Sequence, residues 1–219
     1  MMEGIPSSDR PQISRDFIEG HRRRRYVEAT AEILHEFGRA GLTATNVVRV
    51  AGGARGSFYQ AFAGIEDCIA YGVRLAEREL FAGLEVDMAG GNWLTEVREA
   101  IDAFFDAVVA RPLVAELFLI HSAVARTDSG RAAFRTGGER FVPLLLRGRL
   151  EADVLGRCPP PDLIAECLSR AIVDLAARRV RGPEVATLPS ESRAMTSMVG
   201  DFYLGREDSR ELLCRQFAA

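Results

Sequence analysis

Apolar residues in this 219-residue chain recur at spacings of three and four almost from end to end, while alternating strand patterns are scarce. That period collects them on one face of a helix, so the chain reads as all-α. The breaks between periodic stretches carry helix punctuation. A first helix is expected from about residue 14 or 16 to Phe37, with Phe17, Tyr26, Ala29, Ile33, Leu34 and Phe37 apolar and Gly38 as its stop. Thr43 is placed to cap a short helix that buries Val47, Val48 and Ala51 and ends at Gly52 and Gly53. A second short helix follows over 55–62. Further helices are expected over 65–84, 93–110, from Pro112 to about 124, 162–179 and 190–204. A segment over 128–154, capped by Asp128 or Ser129, holds Pro143 as a kink or break, and a short terminal helix is expected over 208–217.

Composition sets the class. With 47% hydrophobic and 27% charged residues and mean hydropathy near zero, the chain has the balance of a globular protein. No apolar run approaches bilayer length and residues 1–12 lack the core of a secretion signal, so a cytoplasmic protein without a membrane partner is expected. Cys68, Cys158, Cys167 and Cys214 form no C-x-x-C pair, and His21, His35 and His121 fall in no metal spacing. Neither a phosphate loop nor a nucleophile elbow occurs, so no metal, cofactor or enzymatic activity is expected.

The formal net charge of −3 conceals an uneven distribution. Residues 1–64 carry 9 Arg against 7 acidic residues, and the remainder carries 19 against 24. All 28 basic residues are Arg, which favours forked contacts to phosphate or carboxylate, although codon bias would explain the absence of Lys equally well.

Two short helices separated by Gly52, Gly53 and Ala54 have the layout of a helix-turn-helix, whose second helix enters the major groove of DNA. At about 100° per residue, Phe58 and Phe62 share one face and Gly56, Ser57 and Gln60 gather on the opposite one. The pair of Phe fixes the helix against Val47, Val48 and the first helix, and Gly56 lets the backbone come close to a ligand.

The pattern Gly41-Leu42-Thr43, Val47-Val48, Ala51-Gly52, Arg55-Gly56-Ser57-Phe58-Tyr59, Phe62 and Glu66-Asp67-Cys68 resembles the tetracycline-repressor (TetR) family of bacterial transcription regulators. Leu188-Pro189 and Tyr203-Leu204-Gly205 look like the last large helix of an actinobacterial branch. The resemblance implies a DNA-binding headpiece over 14–64 and a helical ligand-binding and dimerisation domain over 65–219. It implies that Arg55, Gly56 and Gln60 face bases while Ser57 and Tyr59 contact phosphates. A guanidinium can fork to guanine and a glutamine amide can pair with adenine, each discriminating by about 1–3 kcal/mol. Thr43, Arg22 and Arg49 complete the expected DNA-facing set. Arg22 to Arg25 point in four directions on a helix, so at most two of them can face one duplex, and a solvated face is the alternative reading. The plainer reading of the motif itself is that Tyr59 merely covers the turn and Arg55 is solvated.

Three residues depart from the family pattern. Ala54 stands where a Ser or Thr often caps the recognition helix, Gly53 replaces an apolar plug, and Ile65 replaces a frequent Lys.

In the larger part, Trp93, Phe104, Phe105, Phe118 and Phe141 are candidate walls of an effector pocket, with His121 and Ser122 as polar groups. Ordinary core packing is the competing reading. Leu168, Ile172, Leu175, Met195, Met198 and Phe202 are candidate dimer contacts, on the resemblance to a family in which two helices from each subunit form a four-helix interface. The function so implied is an operator-binding regulator, a homodimer on double-stranded DNA that a small-molecule effector releases. A ligand-binding or interaction protein with weakened or lost DNA binding is the alternative.

Overall fold

The computed structural model describes residues 15–84, 92–122 and 137–206. All regular structure among them is helical. Helices α1 (Arg15–Phe37), α2 (Ala44–Val50) and α3 (Arg55–Ala61) form an N-terminal headpiece, and α4 (Ile65–Leu80) leads out of it. The larger part contains α5 (Trp93–Ala110), α6 (Pro112–Glu116), α7 (Val142–Val154), α8 (Asp162–Arg179) and α9 (Leu188–Tyr203).

Local chemistry explains most of these boundaries. Asn92 caps α5, its Oδ1 accepting from the amides of Leu94 at 2.9 Å and Thr95 at 3.3 Å. Pro112 begins α6, where a missing amide hydrogen costs nothing. The same rule decides between the two expectations at Pro143: it lies in the first turn of α7, after the turn at 138–141, so the segment breaks there and does not kink. The helix expected over 65–84 ends at Leu80 and tightens into a 3-10 turn, Ala82–Leu84. The helix expected from Pro112 is α-helical for five residues and then widens into a π-helical turn, Leu117–His121. The caps expected at Asp128 and Ser129 and the helix over 208–217 lie outside the described residues.

The core runs without a break from headpiece to larger part. Phe81 stacks on Phe104 at 5.1 Å and meets Phe118 and Phe141 edge-on, which makes a four-ring centre. Trp93 meets Tyr203 at 5.1 Å and donates its Nε1 hydrogen to Leu144 O at 2.8 Å, tying α5 to both α9 and α7. α4 packs against α1 and also against α5 and α6, and α6 itself packs on α1, so close-packed helices join the larger part to the headpiece.

Candidate nucleic-acid interface

The interface is built from α2, the turn and α3. The Thr43 hydroxyl accepts from the Asn46 amide at 3.1 Å and so caps α2. At the other end Gly52 takes φ +60°, and the Gly52 and Gly53 amides donate back to Arg49 O and Val48 O at 3.2 and 3.0 Å. This is a Schellman ending, and its left-handed residue is why a glycine belongs at position 52. Arg25 reaches in from α1 and donates to the carbonyls of Ala51 and Gly52, closing the turn a second time.

Phe58 is 0% exposed and Phe62 2%, and both rings meet Tyr26 of α1 edge-on, at 5.3 and 6.3 Å. That anchorage turns the opposite edge of α3 outward. Arg55, Gly56, Tyr59 and Gln60 are exposed, Tyr59 at 48%, and Ser57 is half-buried. The Arg55 guanidinium lies 5.8 Å from the centre of the Tyr59 ring, so the two form one continuous polar and aromatic ridge. Arg49 is exposed on α2.

The arginine run is mostly engaged within the protein. Arg23 pairs with Glu19 at 3.0 Å and lies over the rings of Phe62 and Tyr71, Arg24 pairs with Glu79, and Arg25 closes the turn. Arg22 makes no hydrogen bond or ion pair with another described residue. Of the four, it is the one left for an outside partner.

Two of the three departures from the family pattern have physical explanations. A Cβ on Gly53 would lie 2.6 Å from the Tyr26 hydroxyl and 3.1 Å from its ring carbons, so Tyr26 already fills the space that a plug would occupy. The Tyr26 ring is buried and packs edge-on against both Phe58 and Phe62, which restrains it. Gly53→Ala is therefore expected to destabilise the headpiece by about 1–3 kcal/mol through overpacking, read as a lower midpoint in urea unfolding. Ile65 is half-buried and packs on the core, which an ammonium would not do. Ala54 begins α3 in extended geometry with no side-chain cap, and among the described residues no side chain replaces the missing hydroxyl.

The candidate pocket residues separate. Trp93, Phe104, Phe105 and Phe141 are enclosed in the core and are not among the residues that line the cavity described next. A cavity of about 560 Å³ lies beside them, with Phe118, Leu119 and Ile120 of the π turn on one wall and Cys167, Arg170, Ala171, Val173, Asp174 and Ala177 of α8 on the other. Phe118 is thus the expected aromatic that reaches it. His121 Nε2 lies 3.2 Å from Glu116 Oε1, which as a carboxylate oxygen accepts. Ser122 is buried and donates to Phe118 O.

Glu116 escaped notice in the sequence. It is 2% exposed and meets His35 Nδ1 at 2.8 Å, Arg181 Nε at 2.7 Å and His121 Nε2 at 3.2 Å. Burial pushes its carboxyl up, but hydrogen bonds from His35, Arg181 and His121 and the charge of Arg181 outweigh this and hold it below the usual carboxylate range. Burial works the other way on His121. It disfavours the imidazolium, outweighs the pull of Glu116, and with Arg181 and Arg39 nearby keeps the ring below its ordinary 6.5. The signal for this cluster was a lone acidic residue inside the apolar run from Leu113 to Ile120.

Leu168 and Ile172, expected at a subunit interface, face their own subunit's core, because α8 turns that side toward its neighbours. Leu175 and Met195 are half-buried against that core. Met198 and Phe202, the latter 51% exposed, line a shallow groove on the outer face of α9 with Ala194, Ser197, Asp201 and Arg206. Among the described residues no group of three or more His, Cys, Asp or Glu could hold a metal ion, and no helix is long and apolar enough to cross a membrane.

Neither a protein-family model nor a curated protein matches the chain. Solved structures do. PfmR, a TetR family transcriptional regulator from Thermus thermophilus, is 17% identical with a TM-score of 0.65 over 81% of this chain and 94% of its own. The fatty acid degradation regulator FadR from Bacillus halodurans is 14% identical, with a TM-score of 0.64 over 81% and 94%. The ketosteroid transcriptional regulator KstR2 of Mycobacterium tuberculosis is 22% identical, with a TM-score of 0.59 over 81% and 92%. The chain has the TetR-regulator fold. Within that TetR-type frame the headpiece is the helix-turn-helix legible in the sequence, and α4 to α9 are the larger helical part.

Proposed function

We propose that the protein is a DNA-binding transcriptional regulator that reads a palindromic operator as a homodimer and leaves it when a small molecule occupies the cavity between the π turn and α8. The observation that carries this reading is the exposed Arg55, Gly56, Tyr59 and Gln60 edge of α3, held outward by two buried phenylalanines. Arg55 and Gln60 are the base readers, Gly56 allows close approach, and Tyr59 and Ser57 contact the backbone. Arg22, Arg49 and Thr43 supply further phosphate contacts.

A two-fold dimer presents two such helices to half-sites about one helical turn apart. The α9 face with Met198 and Phe202 is the interface proposed, since its small and flexible residues allow close packing. The cavity walls are mostly apolar, with Arg170 and Asp174 as polar groups, which suits a largely apolar effector. A fatty acid degradation regulator and a ketosteroid transcriptional regulator among the similar structures support that chemistry.

The test separates the two kinds of contact. Tyr59→Phe is expected to weaken binding to every duplex alike, whereas Gln60→Ala relaxes sequence preference with a discrimination loss of about 1–3 kcal/mol at one base pair. Anisotropy titrations against an operator and its point variants measure both. Unaltered discrimination by the Gln60 variant rejects its assignment. The uncapped start of α3 at Ala54 favours the second reading, a ligand-binding protein on the same scaffold. Under that reading no saturable DNA binding occurs even at low salt.

A further inference from the structure

Both walls of the cavity converge on one carboxylate. Glu116 is the last residue of α6, and the next residues are the π turn whose Phe118, Leu119 and Ile120 border the cavity. Arg181, which binds Glu116 at 2.7 Å, lies two residues past α8, whose Arg170 to Ala177 stretch is the opposite wall. The third partner comes from elsewhere. His35 stands in the last turn of α1, and its Nδ1 lies 2.8 Å from the remaining Glu116 oxygen. α1 in turn carries Tyr26 and Arg25, which hold α3 and close the turn.

We propose that Glu116 is a latch between cavity and headpiece: a molecule that wedges the π turn from α8 withdraws the carboxylate from His35 and loosens the end of α1. This rests on the cavity being the effector site. The π turn is suited to the part, because it holds one residue more than an α turn and a return to α register rotates the downstream residues by about 100°. With Glu116 at the junction, such a change acts directly on the His35 contact. Both arrangements are discrete, so ligand binding has a two-state element to bias.

Cys167 supplies the test, since its exposed thiol lines the cavity. Cys68 is buried, with its thiol pushed up to about 12, and does not compete. In full-length protein carrying Cys158→Ser and Cys214→Ser, benzyl methanethiosulfonate places a benzylthio group on Cys167, which a reductant removes. Hydrogen exchange is followed by mass spectrometry without DNA. Exchange over 33–41 is expected to quicken about fivefold or more on tethering and to recover on reduction. His35→Ala cuts the latch at its half-exposed end while Arg181 and His121 still hold the other Glu116 oxygen, so the carboxylate keeps its cationic partner. In that variant, exchange over 33–41 is already fast and tethering adds nothing. The latch is overturned by an equal acceleration in the His35→Ala protein, or by no change over 33–41 in the protein that retains His35. Because no DNA is present, a failure of operator binding leaves this result standing, and a failure of coupling leaves the operator titrations standing.

Discussion

Replacing Phe58 by alanine is expected to cost about 3–5 kcal/mol of stability and to abolish tight DNA binding. The ring is fully buried and touches Tyr26, Phe62 and Tyr59 at centroid distances of 5.3 to 5.7 Å, so its removal leaves a void between three rigid neighbours. α3 is only seven residues long and far below the length at which a helix holds itself in water, so packing alone maintains it. Losing the anchor therefore frees the reading edge to rotate. Urea unfolding measures the stability loss and anisotropy the binding loss. Hydrogen exchange in α7 to α9 should stay at the native level under conditions where the variant remains folded. Phe58→Leu, which keeps most of the volume, should retain most of both properties. An alanine variant that binds the operator like the parent would show that α3 is not held by this ring.

The second large effect lies at Glu116. Arg181→Ala leaves a 2% exposed carboxylate without its cationic partner, and breaking a buried pair in this way typically costs about 3–5 kcal/mol. Two imidazoles remain nearby, so the lower end of that range is expected. The loss depends on pH with a definite sign. A carboxyl held below its ordinary 4.5 contributes stability that is present above that pH and disappears as pH falls through the folded value. His121 acts in the same direction at a higher pH. Its folded value lies below 6.5, so the unfolded chain takes up the proton first and stability declines on acidification from there. The parent protein should accordingly lose stability in two stages, and the Arg181→Ala deficit should be greatest at neutral pH and shrink once Glu116 is protonated. Thermal unfolding from pH 7.5 down to about pH 2.5 follows both stages. A deficit that stays constant over that interval would mean that Arg181 stabilises by packing alone.

The headpiece was legible because its determinants are local. Phe58 and Phe62 sit four residues apart, Thr43 precedes its helix directly, and Gly52 must be where a left-handed residue ends α2. The same spacing rules could not see across the chain. His35 and Arg181 lie 81 and 65 residues from Glu116, and nothing near Glu116 in sequence announces either of them. The reason for Gly53 was likewise hidden, since Tyr26 stands 27 positions upstream. Periodicity identified apolar faces in α8 without saying which neighbour each would meet, and Leu168 and Ile172 were turned inward by the rest of the subunit. Aromatic content pointed to the helices from Trp93 to Val154, and one wall of the cavity, the π turn, lies there while the other is α8. Of the expected rings only Phe118 lines it, beside mostly aliphatic residues with Arg170 and Asp174, because Phe104 and Phe141 are consumed in filling the core.

Sequence-specific DNA binding through α3 is tested most directly by selecting duplexes from a random library with the full-length protein and titrating the best of them by anisotropy across a salt series. The expected outcome is saturable binding to a palindrome with two protomers per site, weakening steeply with salt as phosphate contacts require. Arg55→Ala and Gln60→Ala should each lose most of the preference for the selected sequence over a scrambled one. No saturable binding at low salt, or a preference untouched by either substitution, would contradict it.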